Sequence, residues 1–144
     1  MNLSVEKITD KETFAQAIQI RNAVFVLEQK VDPNDEYDQF EETSHHFLAK
    51  LDGKPAGAAR WRRTEKGIKL ERFAVLKEFR GKGVGQALVQ AVLQDVRSMP
   101  DSESQVIYLH AQLNAVALYS KFGFQTVGNQ FEECNIKHYK MELA

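Results

Sequence analysis

The sequence predicts a mixed α/β fold, a central sheet carrying helices on its faces. Three features point there. Up to about residue 75 the chain reads as one helix followed by strand-like runs with tight-turn signals, an antiparallel meander. From about residue 84 the pattern changes to helix, strand, helix, with a βαβ unit in the middle. Between the two halves, at a strand-to-helix junction, lies the glycine-bearing segment Arg80–Gly85.

Length and composition narrow the class. The 144 residues suit a single domain, taken as 1–144. With 43% hydrophobic and 27% charged residues, the profile is that of a globular chain that builds its own core. Nineteen basic against twenty acidic side chains leave a net charge of -1. No nucleic-acid partner is expected, because a phosphate backbone selects a basic surplus. The one cysteine, Cys134, has no internal disulfide partner, and His45, His46 and His138 lack metal-ligand spacing, so no metal is expected. Neither an apolar leader nor a run of about 18 apolar residues is present. The cytoplasm is the expected compartment, with no membrane partner.

Element by element, residues 3–8 read as a strand. Thr9 and Glu12 form a capping box, in which the hydroxyl and the carboxylate each meet an orphan N–H. Phe14, Ala17, Ile18, Arg21, Val24 and Phe25 then share a face, so the helix runs to about Leu27. Residues 32–44 read as a loop holding six acidic side chains. Asp52-Gly53 between His46–Leu51 and Ala56–Arg63 is a hairpin signal, since both residues tolerate positive φ. A turn at Glu65–Gly67 leads into Ile68–Val75.

In that last strand Ile68 and Leu70 fall on one parity, Phe73 and Val75 on the other. A regular strand keeps its apolar set on one side. The switch predicts either a bulge near Glu71–Arg72 or burial of both faces. Val84, Leu88, Val89, Val92, Leu93 and Val96 mark an amphipathic helix ended by Pro100. Val106–Leu109 reads as a buried strand. Asn114 is the expected N-cap and Gly123 the expected C′ residue of helix 115–122. Phe124–Phe131 and Ile136–Leu143 would close the fold as a hairpin around Glu132–Asn135.

Arg80-Gly81-Lys82-Gly83-Val84-Gly85 carries the sharpest chemical signal. Closely spaced glycines let backbone approach an anion, and the helix behind them offers free N–H groups and a positive dipole end. Arg80 and Lys82 add charge, so the segment reads as a pyrophosphate cradle. Glycines alone would read as a plain turn. Gln86 rules out the dinucleotide fingerprint, and Gly83 after Lys82 rules out a P-loop.

The string Arg80–Gly85 fits R-x-x-G-x-G and resembles the signature of the GNAT superfamily, the acyl-CoA N-acyltransferases. Leu70–Val75 before it, Ala87-Leu88-Val89 after it, and Asn114–Phe124 further on match the family's context and second motif. Arg21–Gln29 and Ile136–Met141 also resemble a bacterial YjcF/ElaA-type subgroup. The resemblance implies a GNAT-like fold, with a mixed six- to seven-stranded sheet and about four helices. It implies acetyl-CoA as co-substrate, an N-acetyltransferase activity and a small-molecule or peptide amine as acceptor. Amides of Arg80, Gly81, Lys82, Gly83, Val84 and Gly85 would hold the pyrophosphate, Phe73, Ala74 and Val75 would pair with the pantetheine arm, and Asn114 would contact that arm. Tyr119 would stand near the thioester sulfur. Relatives of this type often dimerise, so a homodimer is a further expectation.

Amine attack on a thioester needs a neutral amine, donors for the oxyanion and a proton for the thiolate. A backbone N–H freed by the bulge near Val75 would serve the oxyanion, and Tyr119 the thiolate. From spacing alone Tyr119 reads as core, since Ala115, Leu118 and Phe122 share its face. Glu71 and His110 are the first candidates for the base, Glu28 and His46 the next; any of them also reads as structural. Asp32, Asp35, Glu36, Asp38, Glu41 and Glu42 would attract a cationic amine or form a solvated loop. Arg60, Arg62 and Arg63 would meet an anionic substrate or line an exposed strand face. The alternative function is a non-catalytic CoA-binding sensor with the same fold. An RNA-directed acetylase would need a basic face.

Overall fold

The Asp52-Gly53 turn forms with φ of 52° and 81° and joins strand β2 (His45–Leu51) to β3 (Lys54–Thr64). In this computed structural model, which describes residues 2–144, it lies within a seven-stranded mixed sheet. β1 (Leu3–Lys7), β2, β3 and β4 (Gly67–Val75) pair antiparallel in sequence order. β4 then pairs parallel with β5 (Ile107–Gln112). The last hairpin folds back so that β7 (Ile136–Leu143) lies between β5 and β6 (Phe124–Glu133). Cys134 and Asn135 turn that hairpin, both at positive φ.

Helices cover both faces. α3 (Val84–Arg97) buries all six residues of its apolar stripe against Trp61, Leu70, Leu109 and Met141. Each such side chain contributes about 1.5–3 kcal/mol. α4 (Val116–Ser120) lies on the same face. The opposite face is covered by α1 (Lys11–Arg21), where Ala17 and Ile20, with Val24 and Phe25 beyond it, meet Leu48, Ala58 and Ala74.

Several local expectations change. Asp10, not Thr9, caps α1: its Oδ1 accepts from the Thr13 N–H at 2.7 Å, one residue later than the capping box required. The α-helical ladder stops at Arg21 and continues as a π-helix over Asn22–Glu28. The acidic segment holds one helical turn, α2 (Pro33–Glu36), capped by Asp32. Asn114 caps nothing; it sits in a 3₁₀ turn, Leu113–Ala115, and α4 spans only five residues. Gly123 does take the left-handed conformation expected after that helix, with φ of 95°. Among the described residues no helix is long and apolar enough to cross a membrane.

Candidate active site

β4 and β5 pair only through Ile68↔Ile107, Lys69↔Tyr108 and Leu70↔Leu109. Beyond that point they diverge, and the β5-facing edge of Glu71–Val75 has no strand partner. A cavity of about 860 Å³ opens there, reaching both faces of the sheet. Crevices at the carboxyl ends of parallel strands are where open α/β sheets bind ligands.

The parity break is a bulge. Arg60 faces Glu71 and Ala58 faces Ala74, so Arg72 and Phe73 together oppose Ala59. Arg72 sits at φ 60°, an uncommon conformation for a residue with a Cβ. Its guanidinium is fixed by the Glu36 carboxylate at 3.0 Å, by Asp38 at 3.2 Å and by the carbonyls of Asp35 and Glu36. The bulge turns Phe73 and Val75 toward the α3 core and Ala74 toward the α1 core.

The same anchoring revises the reading of the acidic segment. Glu36, Asp38 and Glu41 do not wait for an amine in solvent; they neutralise Arg21, Arg60 and Arg72. Arg60 is fully buried, not on an exposed face. Buried charges persist only when paired in this way.

At the mouth of the cleft, Gly81 and Gly83 take φ of 77° and 86°. Gly83 caps α3 without a side-chain hydrogen bond, and the first amide bonded back to its carbonyl is that of Ala87, at 3.0 Å. The amides of Val84, Gly85 and Gln86 are therefore unspent, with no acidic residue in that turn to compete. A Cβ on Gly85 would come within 3.3 Å of Leu118 Cδ2. This uncapped, positively poled terminus fits a diphosphate. Gly81, Gly83, Val84 and Gly85 line the cavity beside Arg80, whereas Lys82 is exposed outside it. Arg80 clamps Glu28 with two hydrogen bonds of 2.7 Å, and its Nε donates to the Val75 carbonyl at 3.0 Å. That clamp holds the Glu28 carboxyl below its usual range.

Tyr119 is buried and lines the cavity with Asn114, edge-on to Phe73 at 5.6 Å. Among the described residues its hydroxyl has no hydrogen-bond partner, and burial pushes its pKa up, so the phenol stays protonated.

His110 stands on β5 one residue past the last β4–β5 pair. Its Nδ1 lies 2.9 Å from Glu133 Oε2. An ionised carboxylate only accepts, so Nδ1 carries the hydrogen and Nε2 is left as the free position. The His110 hydrogen bond holds the Glu133 carboxyl down at about 2. Nothing in the sequence marked Glu133, which reaches His110 from the end of β6 although β7 lies between their strands.

Glu71 also lines the cavity, nearly buried. Burial would raise its carboxyl, but Arg60, Lys69, Arg72 and Arg62 outweigh it and hold the group low. His46 bonds the Glu41 carbonyl at 2.7 Å, away from the cleft. Gln29, at the end of the π-helix, bonds Gln112 across the cavity at 2.9 Å. No group of three or more His, Cys, Asp or Glu among the described residues is placed to hold a metal ion.

A splayed parallel pair, a bulged strand and an uncapped helix beside them form a cleft suited to an acyl-CoA N-acyltransferase. Residues 6–144 match the model of the acetyltransferase (GNAT) domain, and the chain belongs to that family. The uncharacterized N-acetyltransferase YjcF of Bacillus subtilis is 35% identical over 133 residues, covering 92% of this chain and 93% of its own. The crystal structure of Escherichia coli ElaA superposes with a TM-score of 0.85 at 25% identity, over 99% of this chain and 100% of that one. A Bacillus subtilis acetyltransferase solved in complex with CoA shares the fold, at TM-score 0.72 and 17% identity, over 99% and 98%. The chain is thus an acyl-CoA N-acyltransferase of the N-acetyltransferase class.

Proposed function

We propose that this cleft, acting within a single domain, takes acetyl-CoA as co-substrate and acetylates a primary amine of a small molecule or peptide. One observation carries the reading. Val84, Gly85 and Gln86, whose amides are unspent, line one cavity together with Tyr119 and His110.

Acetyl-CoA supplies the thioester carbonyl; the residues supply the rest. Amides of the 80–85 loop and the α3 terminus would hold the diphosphate, and the unpaired edge at Phe73, Ala74 and Val75, with Asn114, would contact the pantetheine arm. As the C–N bond forms and the C–S bond breaks, edge amides of the bulged strand receive the carbonyl oxygen's growing charge. Tyr119 Oη donates its proton to the departing sulfur. His110 Nε2 accepts the proton that the amine loses, its ring oriented through Nδ1 by Glu133. Of the two first-ranked bases, geometry favours His110, because Glu71 spends its carboxylate on Arg60, Arg62 and Lys69.

The test is a thiol-release assay with acetyl-CoA and pooled amines. Amine-dependent CoA release is expected. CoA binding with no amine-dependent release across a broad pool would overturn the catalytic reading.

A further inference from the structure

A second concave site lies on the α1-side face of the sheet, a cavity of about 670 Å³ contiguous with the cleft through Arg62, Lys69 and His110. Arg62, Arg63, Lys66, Lys69 and Lys140 line it against a single lining carboxylate, Glu65. Nearby acidic groups offset part of this charge: Asp101 holds Arg63, Glu142 lies 3.4 Å from Lys140, and Glu71 is shared among Arg60, Arg62 and Lys69. The five lining cations still outnumber these three acids and Glu65, and among the described residues Lys66 has no ion-pair partner.

The sheet register fixes where this charge stands relative to the reaction. Arg62, Lys69 and Tyr108 are direct cross-strand neighbours and form one row. Glu71 and His110 lie two residues further along the same strands, at about 3.3 Å per residue, so the rows are about 7 Å apart. Lys140 bridges them: it pairs with His110 across the ladder, and its ammonium leans over the Tyr108 ring at 5.3 Å. Arg62 is likewise laid over the Phe40 ring, 3.9 Å from its centroid. These cations are held in place by aromatic faces and half-buried, which strengthens them as anion receptors.

We infer that the acceptor is a small primary amine carrying a carboxylate or phosphate about five bonds from the reacting nitrogen, the length that spans about 7 Å. The anion rests on Lys69, Lys140 and Arg62 while the amine reaches His110. This deepens the acetyltransferase reading and rests on it.

The experiment compares kcat/KM for two matched pairs, 5-aminopentanoate with 5-aminopentanol and 3-aminopropyl phosphate with 3-aminopropanol. Wild type, Lys69→Gln and Lys140→Gln are assayed, and CoA affinity is measured on each by calorimetry as a check on folding. A preference of about fivefold or more for the charged member of at least one pair is expected, and the pair that shows it separates carboxylate from phosphate. The preference falls with added salt and collapses in at least one variant. A smaller preference in both pairs, no turnover of any of the four by a protein that binds CoA, or a preference untouched in both variants overturns the inference. Failure of the wild type to bind CoA would instead strike the acetyltransferase reading itself.

Discussion

Arg60 grips Asp38, 22 residues earlier, through two hydrogen bonds of 3.0 and 2.6 Å, and the same carboxylate reaches Arg72 at 3.2 Å. One side chain from the acidic loop thus ties β3 to the bulge of β4. Hydrogen bonds to charged groups contribute roughly 1.5–3 kcal/mol. Asp38 keeps some access to solvent, so Asp38→Asn is expected to cost about 2 kcal/mol at neutral pH, as read by urea denaturation.

The pH dependence of that effect has a defined sign. Burial would raise the Asp38 carboxyl, but hydrogen bonding and charge from Arg60 bring it down to about 2. A folded-state pKa below the unfolded value of 3.8 gives stability that is complete above about pH 4 and drains away as pH falls toward 2. Denaturation curves of wild type and Asp38→Asn should therefore converge over that window. A gap that stays constant down to pH 2 would contradict the ion-pair account.

Tyr119→Phe tests the proton donor. The substitution keeps the ring that packs against Phe73 and Phe124 and removes only the oxygen. Proton transfer by a positioned group contributes about 10²–10⁴-fold, and a thiolate is an undemanding leaving group, so a ten- to hundredfold loss of kcat is expected. CoA affinity, followed by calorimetry, should stay within about twofold. Unchanged turnover would leave Tyr119 as a core residue.

What could be read from residues alone followed the range of the interaction. Asp52-Gly53 and the α3 stripe are local patterns, and both formed as expected. The parity switch at Ile68, Leu70, Phe73 and Val75 is a local pattern that left a bulge or burial of both faces open, and the β3–β4 register decides for the bulge. Thr9 and Asp10 are adjacent residues that can both cap, and Asp10, the stronger capping group, starts the helix one residue later. The work of Glu36, Asp38 and Glu41 was hidden because their arginines come from α1, β3 and β4. Glu133 was hidden by strand order, since β5 and β6 are not neighbours in the sheet and their side chains meet across β7.

Glu133→Gln separates a positioning role from a structural one. The His110–Glu133 pair is partly open to solvent, so its removal should change stability by less than about 1 kcal/mol. If Glu133 holds the ring for proton acceptance, kcat falls on the order of tenfold while CoA affinity is kept. Glu133→Asp, which retains the carboxylate, should recover part of the loss. Equal kcat in wild type and both variants would remove Glu133 from the reaction.

Gly83→Ala probes the helix terminus. Gly83 holds φ 86° with ψ 6°, a left-handed conformation that costs a residue with a Cβ about 1–2 kcal/mol. The nearest atom to such a Cβ would be Leu3 Cδ2 of β1, at 4.0 Å, so the penalty lies in the backbone and not in a collision. Relaxing that strain rotates the amides at the start of α3 away from their common focus. CoA affinity should fall about tenfold, the equivalent of about 1.4 kcal/mol, with a matching loss of stability in urea. Gly53→Ala supplies the control: its φ is 81° and nothing lies within 4 Å of the added carbon, but the turn is remote from the cleft. It should lose similar stability and no CoA affinity. If both variants bind CoA as wild type does, the diphosphate does not rest on the α3 terminus.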